Sequence, residues 1–183
     1  MTTVFKNYLA ATVGTQLTVT GVAASTPSSG SVRLTFADQG TAPFIIGQKI
    51  TVTGISVSGY NGTYTVTGCT STTVTFANST TGAATGGIIS PCMVTSNASA
   101  TTTIIGLSLT NVTPSIIQAS VQLQDTVAGT TAYFVQNITM PPNTSVRLVN
   151  GGERLVVGPS TNILLWSNLS SSIDVVLSWV EIS

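Results

Sequence analysis

Apolar and polar residues alternate with a period of two along nearly the whole chain. Val32, Leu34 and Phe36 alternate with Ser31, Arg33 and Thr35, and Ile50 and Val52 alternate with Thr51 and Thr53. Tyr64 and Val66 lie between Thr63, Thr65 and Thr67, and Val74 and Phe76 flank Thr75. Ile105, Leu107 and Leu109 alternate with Gly106 and Ser108. Successive side chains of a strand point to opposite faces, so each run predicts a half-buried strand with a Thr/Ser outer face. Turn-forming groups punctuate the runs: Pro27-Ser28-Ser29-Gly30, Asn61-Gly62, Gly86-Gly87, Pro141-Pro142-Asn143, Asn150-Gly151-Gly152 and Gly158-Pro159. No stretch of helical length carries a 3.6-residue period. The expectation is an all-β protein.

Two further patterns set the organisation. The segment Ile173–Ile182 places Ile173, Val175, Leu177 and Trp179 on one face, and Val176, Val180 and Ile182 on the other, with Asp174 and Ser178 among them. A strand apolar on both faces is covered on both. Its second face is therefore expected against a second layer or another subunit, and Ile163-Leu164-Leu165-Trp166 reads the same way. Composition also shifts along the chain. Residues 15–90 hold the densest Thr alternation and only Arg33, Asp38 and Lys49 as charges, whereas the later part holds longer apolar runs. Residues 1–14 have no apolar partner of their own. The reading is a β-sandwich, jelly-roll-like, made of 1–14 plus 91–183. Residues 15–90 form an inserted small β-barrel or Ig-like module, with the junction near Ser90-Pro91-Cys92.

Charge narrows the functional classes. The 183 residues include five Lys+Arg, five Asp+Glu and no His, against 33 Thr and 22 Ser. An ordinary soluble protein is about 25% charged; this one is 5%. Without His, the commonest general base and metal ligand is missing. With zero net charge there is no basic footprint for nucleic acid. No apolar run reaches the length of a membrane-spanning helix, and the first residues lack the apolar region of a secretory signal. A surface of hydroxyls, amides and methyls suits a protein covered by copies of itself or by a larger assembly.

Little else carries chemistry. Asp38, Asp125, Glu153, Asp174 and Glu181 are scattered, Lys6 and Lys49 lack an S-x-x-K context, and no phosphate-binding Gly loop or Cys-x-x-Cys occurs. The expectation is no enzyme activity, no cofactor and no metal, with Cys69 and Cys92 as free thiols. Arg147, Glu153 and Arg154 surround the Asn150-Gly151-Gly152 turn and read as solvated charges or an intersubunit contact. Tyr60, Asn61 and Tyr64 form the candidate recognition loop, since aromatics beside a turn are a common way for β modules to contact sugars or proteins. The competing reading makes Asn61-Gly62 a hairpin turn with both tyrosines packed nearby.

Several segments resemble small virion structural proteins of tailed bacteriophages, notably cyanophages. They are Phe5-Lys6-Asn7-Tyr8-Leu9 with Thr12-Val13-Gly14-Thr15, Thr102-Thr103-Ile104-Ile105-Gly106-Leu107-Ser108-Leu109-Thr110-Asn111, Pro141-Pro142, and the ending Asp174–Ser183. Such chains run directly from the first segment into the second. Here residues 16–90 intervene, and their Pro43–Val52 and Gly59–Val66 segments resemble a small β module found scattered through phage structural proteins. The resemblance implies a virion component, first of all a capsid decoration (cement) protein on the outer surface of the head. Its implied partners are the major capsid protein or other virion proteins and copies of itself, a trimer being favoured, with no nucleic acid and no membrane. A neck, tail or fibre-associated protein, or a carbohydrate-binding adhesion module, are the alternatives. The candidate interface residues are Trp166, Val176, Trp179, Val180 and Ile182.

Overall fold

The computed structural model describes residues 2–24 and 30–183. The turn expected at Pro27-Ser28-Ser29-Gly30 falls outside them except for Gly30. The described residues form fourteen strands. In order these are β1 (Thr3–Val13), β2 (Leu17–Ala23), β3 (Ser31–Phe36), β4 (Lys49–Thr53), β5 (Gly62–Cys69), β6 (Thr73–Ala77) and β7 (Ile88–Thr95). They continue with β8 (Thr101–Asn111), β9 (Ile117–Asp125), β10 (Thr130–Met140), β11 (Ser145–Val149), β12 (Leu155–Val157), β13 (Thr161–Ser167) and β14 (Ile173–Ile182). A single 3-10 turn, Ser58–Tyr60, is the only helical element among the described residues. The fold is all-β, as the alternation predicts.

The chain divides into two compact units, residues 1–14 with 93–183, and residues 15–92. The second boundary is not a linker. Ser90-Pro91-Cys92, read from the sequence as a junction, lies inside β7, where Pro91 faces Ile50 of β4. Proline lacks an N–H, which confines it in sheets to positions where no ladder bond is required of it.

Residues 15–92 form a closed six-stranded barrel. β2 pairs β3, β3 pairs β6, β6 pairs β5, β5 pairs β4, β4 pairs β7, and β7 returns to β2. Closure leaves no free sheet edge. The inward residues Val32, Leu34, Phe36, Ile50, Val52, Val66, Val74 and Phe76 are all buried, as period-two reading requires. Thr51 departs from it. Expected on a wet outer face, it is buried, with its hydroxyl bonded to that of Thr63 at 3.1 Å. Gly87 lies where closure brings the backbone close to Ile55. A Cβ there would stand 2.5 Å from Ile55 Cγ1, and its φ of 108° is one that side chains disfavour.

The other unit is a two-sheet sandwich. One sheet runs β1–β14–β8–β11, with β12 also on β8, and the other contains β10–β9–β13. Leu107, Leu109, Val175 and Leu177 from the first sheet share one core with Ala119, Val121, Ile163 and Leu165 from the second. β1 pairs antiparallel with β14, Phe5 opposite Val180 and Leu9 opposite Val176. The first strand of this unit thus finds its partner at the far end of the chain. Asn111, fully buried, ties the loop after β8 to the turn after β10. Its amide donates to the Ser115, Met140 and Pro141 carbonyls at 2.8–3.1 Å, and its oxygen accepts from Thr113 N–H at 2.9 Å.

Candidate interaction surface

The alternation of β14 decides which residues are presented. Ile173, Val175, Leu177, Trp179 and Glu181 point inward and are buried, while Val176 is half exposed and Val180 and Ile182 are partly exposed. β14 sits between β1 and β8, so its outward residues form the middle row of a continuous face. Pairing extends that face. Phe5 (75% exposed) and Leu9 (69%) stand beside Val180 and Val176 from β1, and Val156 (62%) lies opposite Thr103 from β12.

Ile105 joins this face by a departure from the predicted alternation. The sequence places Ile105 in phase with Leu107 and Leu109, inside. The structure puts Ile104, Leu107 and Leu109 in the core and leaves Ile105 39% exposed. The reason is a bulge. Gly106 pairs with Ser178 and Ile104 with Trp179, leaving Ile105 as an extra residue with no counterpart on β14. One inserted residue shifts the phase by one, which moves a side chain across the sheet.

Phe5, Ile105, Val180 and Ile182 line a groove of about 480 Å³, with Glu153 and Arg154 among its further lining residues. Glu153, Arg154 and Arg147 are all exposed. An exposed apolar area of this kind marks an interaction site more often than a free surface.

Trp179 does not belong to that face. It is buried in the sandwich core, and its indole N–H donates to Glu181 Oε1 at 2.9 Å. The other carboxylate oxygen receives Lys6 Nζ at 2.6 Å across the β1–β14 pair. These two donors, Lys6 first, hold the Glu181 carboxyl below the ordinary glutamate range, against the opposing effect of burial. The cluster is a clasp between the first and last strands. Trp166 is half-buried and meets Tyr133 edge-to-face, ring centroids 6.0 Å apart. It stands on β13, in the sheet opposite to β14, so the proposed interface residues do not form one patch. Val176, Val180 and Ile182 come together; Trp166 and Trp179 do not join them.

The candidate recognition loop is held against the barrel by its own side chains, with Tyr60 buried and Asn61 and Tyr64 half-buried. Tyr60 is fully buried and its hydroxyl donates to the Gly82 carbonyl at 2.8 Å. Tyr64 stacks on Phe76 at 4.2 Å, and Asn78 donates to its hydroxyl at 2.9 Å. Burial raises the pKa of that phenol. Asn61-Gly62 is not a two-residue hairpin turn either. Asn61 follows the 3-10 turn and its amide bonds both the N–H and the carbonyl of Ile55, each at 2.9 Å, so that one side chain replaces a strand partner. The aromatic surface that sugar recognition needs is used by the barrel's own core.

Among the described residues, no group of three or more Cys, Asp or Glu side chains is placed to hold a metal ion. Neither Cys69 nor Cys92 is in a disulfide, and burial raises the Cys69 thiol pKa, away from thiolate reactivity. No helix among the described residues is long and apolar enough to cross a membrane. Sequence reasoning missed Phe5, Leu9 and Ile105. The first two were legible as a period-two pair around Asn7; the third depends on a bulge that no local pattern marks. No family model, no curated protein and no solved structure matches the chain.

Proposed function

We propose that this protein is a virion structural component of a tailed bacteriophage, foremost a decoration protein that binds the head shell and clamps neighbouring capsid subunits. The observation that supports the reading is the open apolar sheet face of Phe5, Leu9, Ile105, Val176, Val180 and Ile182, carried by a chain with only five cations and five anions. A free monomer keeps charges on its surface for solubility; a particle component meets neighbours on most sides instead. The resemblance of the Phe5–Thr15, Thr102–Asn111 and Asp174–Ser183 segments to phage virion proteins points the same way. The protein acts without catalysis, through copies of itself in a trimer and through contacts with the capsid protein.

The test is a quantitative protein gel of purified particles. Hundreds of copies per particle fit a decoration protein. A few to some dozens move the protein to the neck, tail or fibre. Absence from the particle overturns the virion reading. The adhesion alternative loses ground because Tyr60 is buried and Tyr64 is stacked on Phe76.

A further inference from the structure

We infer that Asn150 is a self-modification site: the folded chain converts its side-chain amide to a carboxylate through a succinimide formed with Gly151, while the other Asn-Gly pair, Asn61-Gly62, stays intact. These are the two asparagines that precede a glycine. The reaction needs water and no enzyme. The Gly151 backbone nitrogen gives up its proton and attacks Asn150 Cγ. A C–N bond forms, the Cγ–Nδ2 bond breaks, and ammonia leaves with the proton. Water then opens the ring at one of its two carbonyls. Opening at the Cγ–N bond leaves an ordinary aspartyl linkage, and opening at the α-carbonyl routes the chain through Cγ as isoaspartate. Nothing is oxidised or reduced. Glycine favours the attack because it has no Cβ beside its nitrogen and its backbone turns freely.

Local structure frees one pair and locks the other. Glu153 N–H donates to the Asn150 backbone carbonyl at 3.0 Å, which makes residues 150–153 a β-turn with both glycines at its centre and Gly152 at φ 112°. That bond engages neither the Asn150 side chain nor the Gly151 N–H. Both residues are exposed, and among the described residues none bonds the Asn150 amide. A Cβ at Gly151 would meet nothing within 4 Å, so no neighbour obstructs the swing of the amide onto the glycine nitrogen. Asn61 is half-buried, and its amide both accepts from the Ile55 N–H and donates to the Ile55 carbonyl, each at 2.9 Å. Ring closure there must break both bonds. Gly62 also opens β5 opposite Val52, and a Cβ on it would stand 3.1 Å from Tyr64 Oη.

The change falls on the candidate surface. Asn150 and Arg147 line one hollow of the outer sheet face together with Ile105 and Val176. Before the reaction the charge in that hollow is the Arg147 guanidinium; afterwards a carboxylate shares the hollow with it. Five cations balance five anions in the chain, so one new carboxylate leaves the whole molecule with a net negative charge. The turn thus sets a slow change of charge on the apolar face, with no strand disturbed.

The experiment incubates the full chain in mildly alkaline buffer, folded and in parallel in denaturant, until the denatured chain has reacted. Isoelectric focusing counts the added charge, and methylation by an isoaspartyl methyltransferase marks the rearranged product. Trypsin followed by mass spectrometry places it: cleavage after Arg147 and Arg154 isolates residues 148–154, in which Asn150 is the single amide side chain. The denatured chain is expected to react at both Asn-Gly pairs. The folded chain is expected to react at Asn150 alone, gaining one negative charge and accepting methyl groups within 148–154. Gly151→Ala fits the open space at that position and is expected to lose the acidic species with an unchanged melting curve; Asn150→Gln serves if that variant misfolds. A folded chain that keeps Asn150 intact while the denatured chain has reacted overturns the inference. Asn61 reacting as fast as Asn150 in the folded chain overturns the selection by local structure. An acidic species that persists in the folded variant overturns the route through Gly151.

Discussion

Replacing Val180 by aspartate separates the two roles a residue of β14 can have. Val180 lies on the outer face opposite Phe5 of β1 and Thr103 of β8, partly exposed and lining the groove. In an isolated chain, the new carboxylate reaches water. Its cost is the loss of a β-branched residue from a strand, about 1 kcal/mol, which lowers the melting temperature of the sandwich unit by about 4–8 °C. In an assembled contact the same carboxylate is sealed from water without a partner, at a cost of about 3–5 kcal/mol. At 1.4 kcal/mol per decade, association weakens by roughly two to four decades. Val175→Asp is the control. Val175 is 1% exposed in the sandwich core, so a charge there unfolds the unit whether or not it assembles. Light scattering across a concentration series, paired with melting curves, reads both quantities. The expected pattern is a folded, dissociated Val180→Asp and an unfolded Val175→Asp. A Val180→Asp chain that unfolds like the control would show that Val180 is structural, and one that assembles like wild type would remove the face from the interface.

Other consequences can be checked separately. Asn61→Ala removes both bonds to the Ile55 backbone and is expected to destabilise the barrel by about 2 kcal/mol, or about 8–16 °C in melting temperature for a unit of that size, with no effect on assembly beyond that; an unchanged melting curve would deny Asn61 its bracing role. Because the Glu181 pKa is lowered in the folded chain, the Lys6–Glu181–Trp179 clasp contributes fully above the ordinary glutamate range and is lost as pH falls through the lowered value. Glu181→Gln should flatten the acid limb of the stability curve, and an identical limb in wild type and variant would contradict it. A chain lacking residues 16–90 loses β2–β6 and the start of β7 but retains every strand of the sandwich, β1 and β8–β14, and is expected to fold with a β-type circular dichroism spectrum and a cooperative melt. Failure of both that chain and the isolated 16–90 piece to fold would show that neither unit is independent.

The alternation was the most legible feature because a half-buried strand imposes its period directly on the sequence. Leu34, Ile50, Val74 and Leu177 are all buried where the pattern puts them. What sequence could not carry was anything decided by a long-range partner. Ile105 leaves the core because β14 skips it, and the phase of β8 read alone gives no sign of that. Thr51 is inside because Thr63, on the neighbouring strand, satisfies its hydroxyl. Asn61-Gly62 has the composition of a hairpin turn, but the amide of Asn61 is engaged six residues back. Lys6 and Glu181 stand 175 residues apart in sequence and 2.6 Å apart in space. The half of the candidate surface on β14 was legible from its two-faced hydrophobicity; the half on β1 required knowing that β1 pairs with it.

That pairing also sets an order of events during synthesis. β1 is made before the barrel segment, and its partner β14 only after the whole of that segment has passed. At about 5–20 residues per second, the ribosome takes roughly 8–30 s to go from the end of β1 to the start of β14. Through that interval the edges of β1, with Phe5 and Leu9 on it, have no native strand to pair with, while the barrel segment already contains all the pairings that close it. The nascent chain is therefore expected to carry a folded barrel behind an unsatisfied leading strand. The sandwich closes only when β14 emerges, which makes β1 the segment that a holdase would bind during translation.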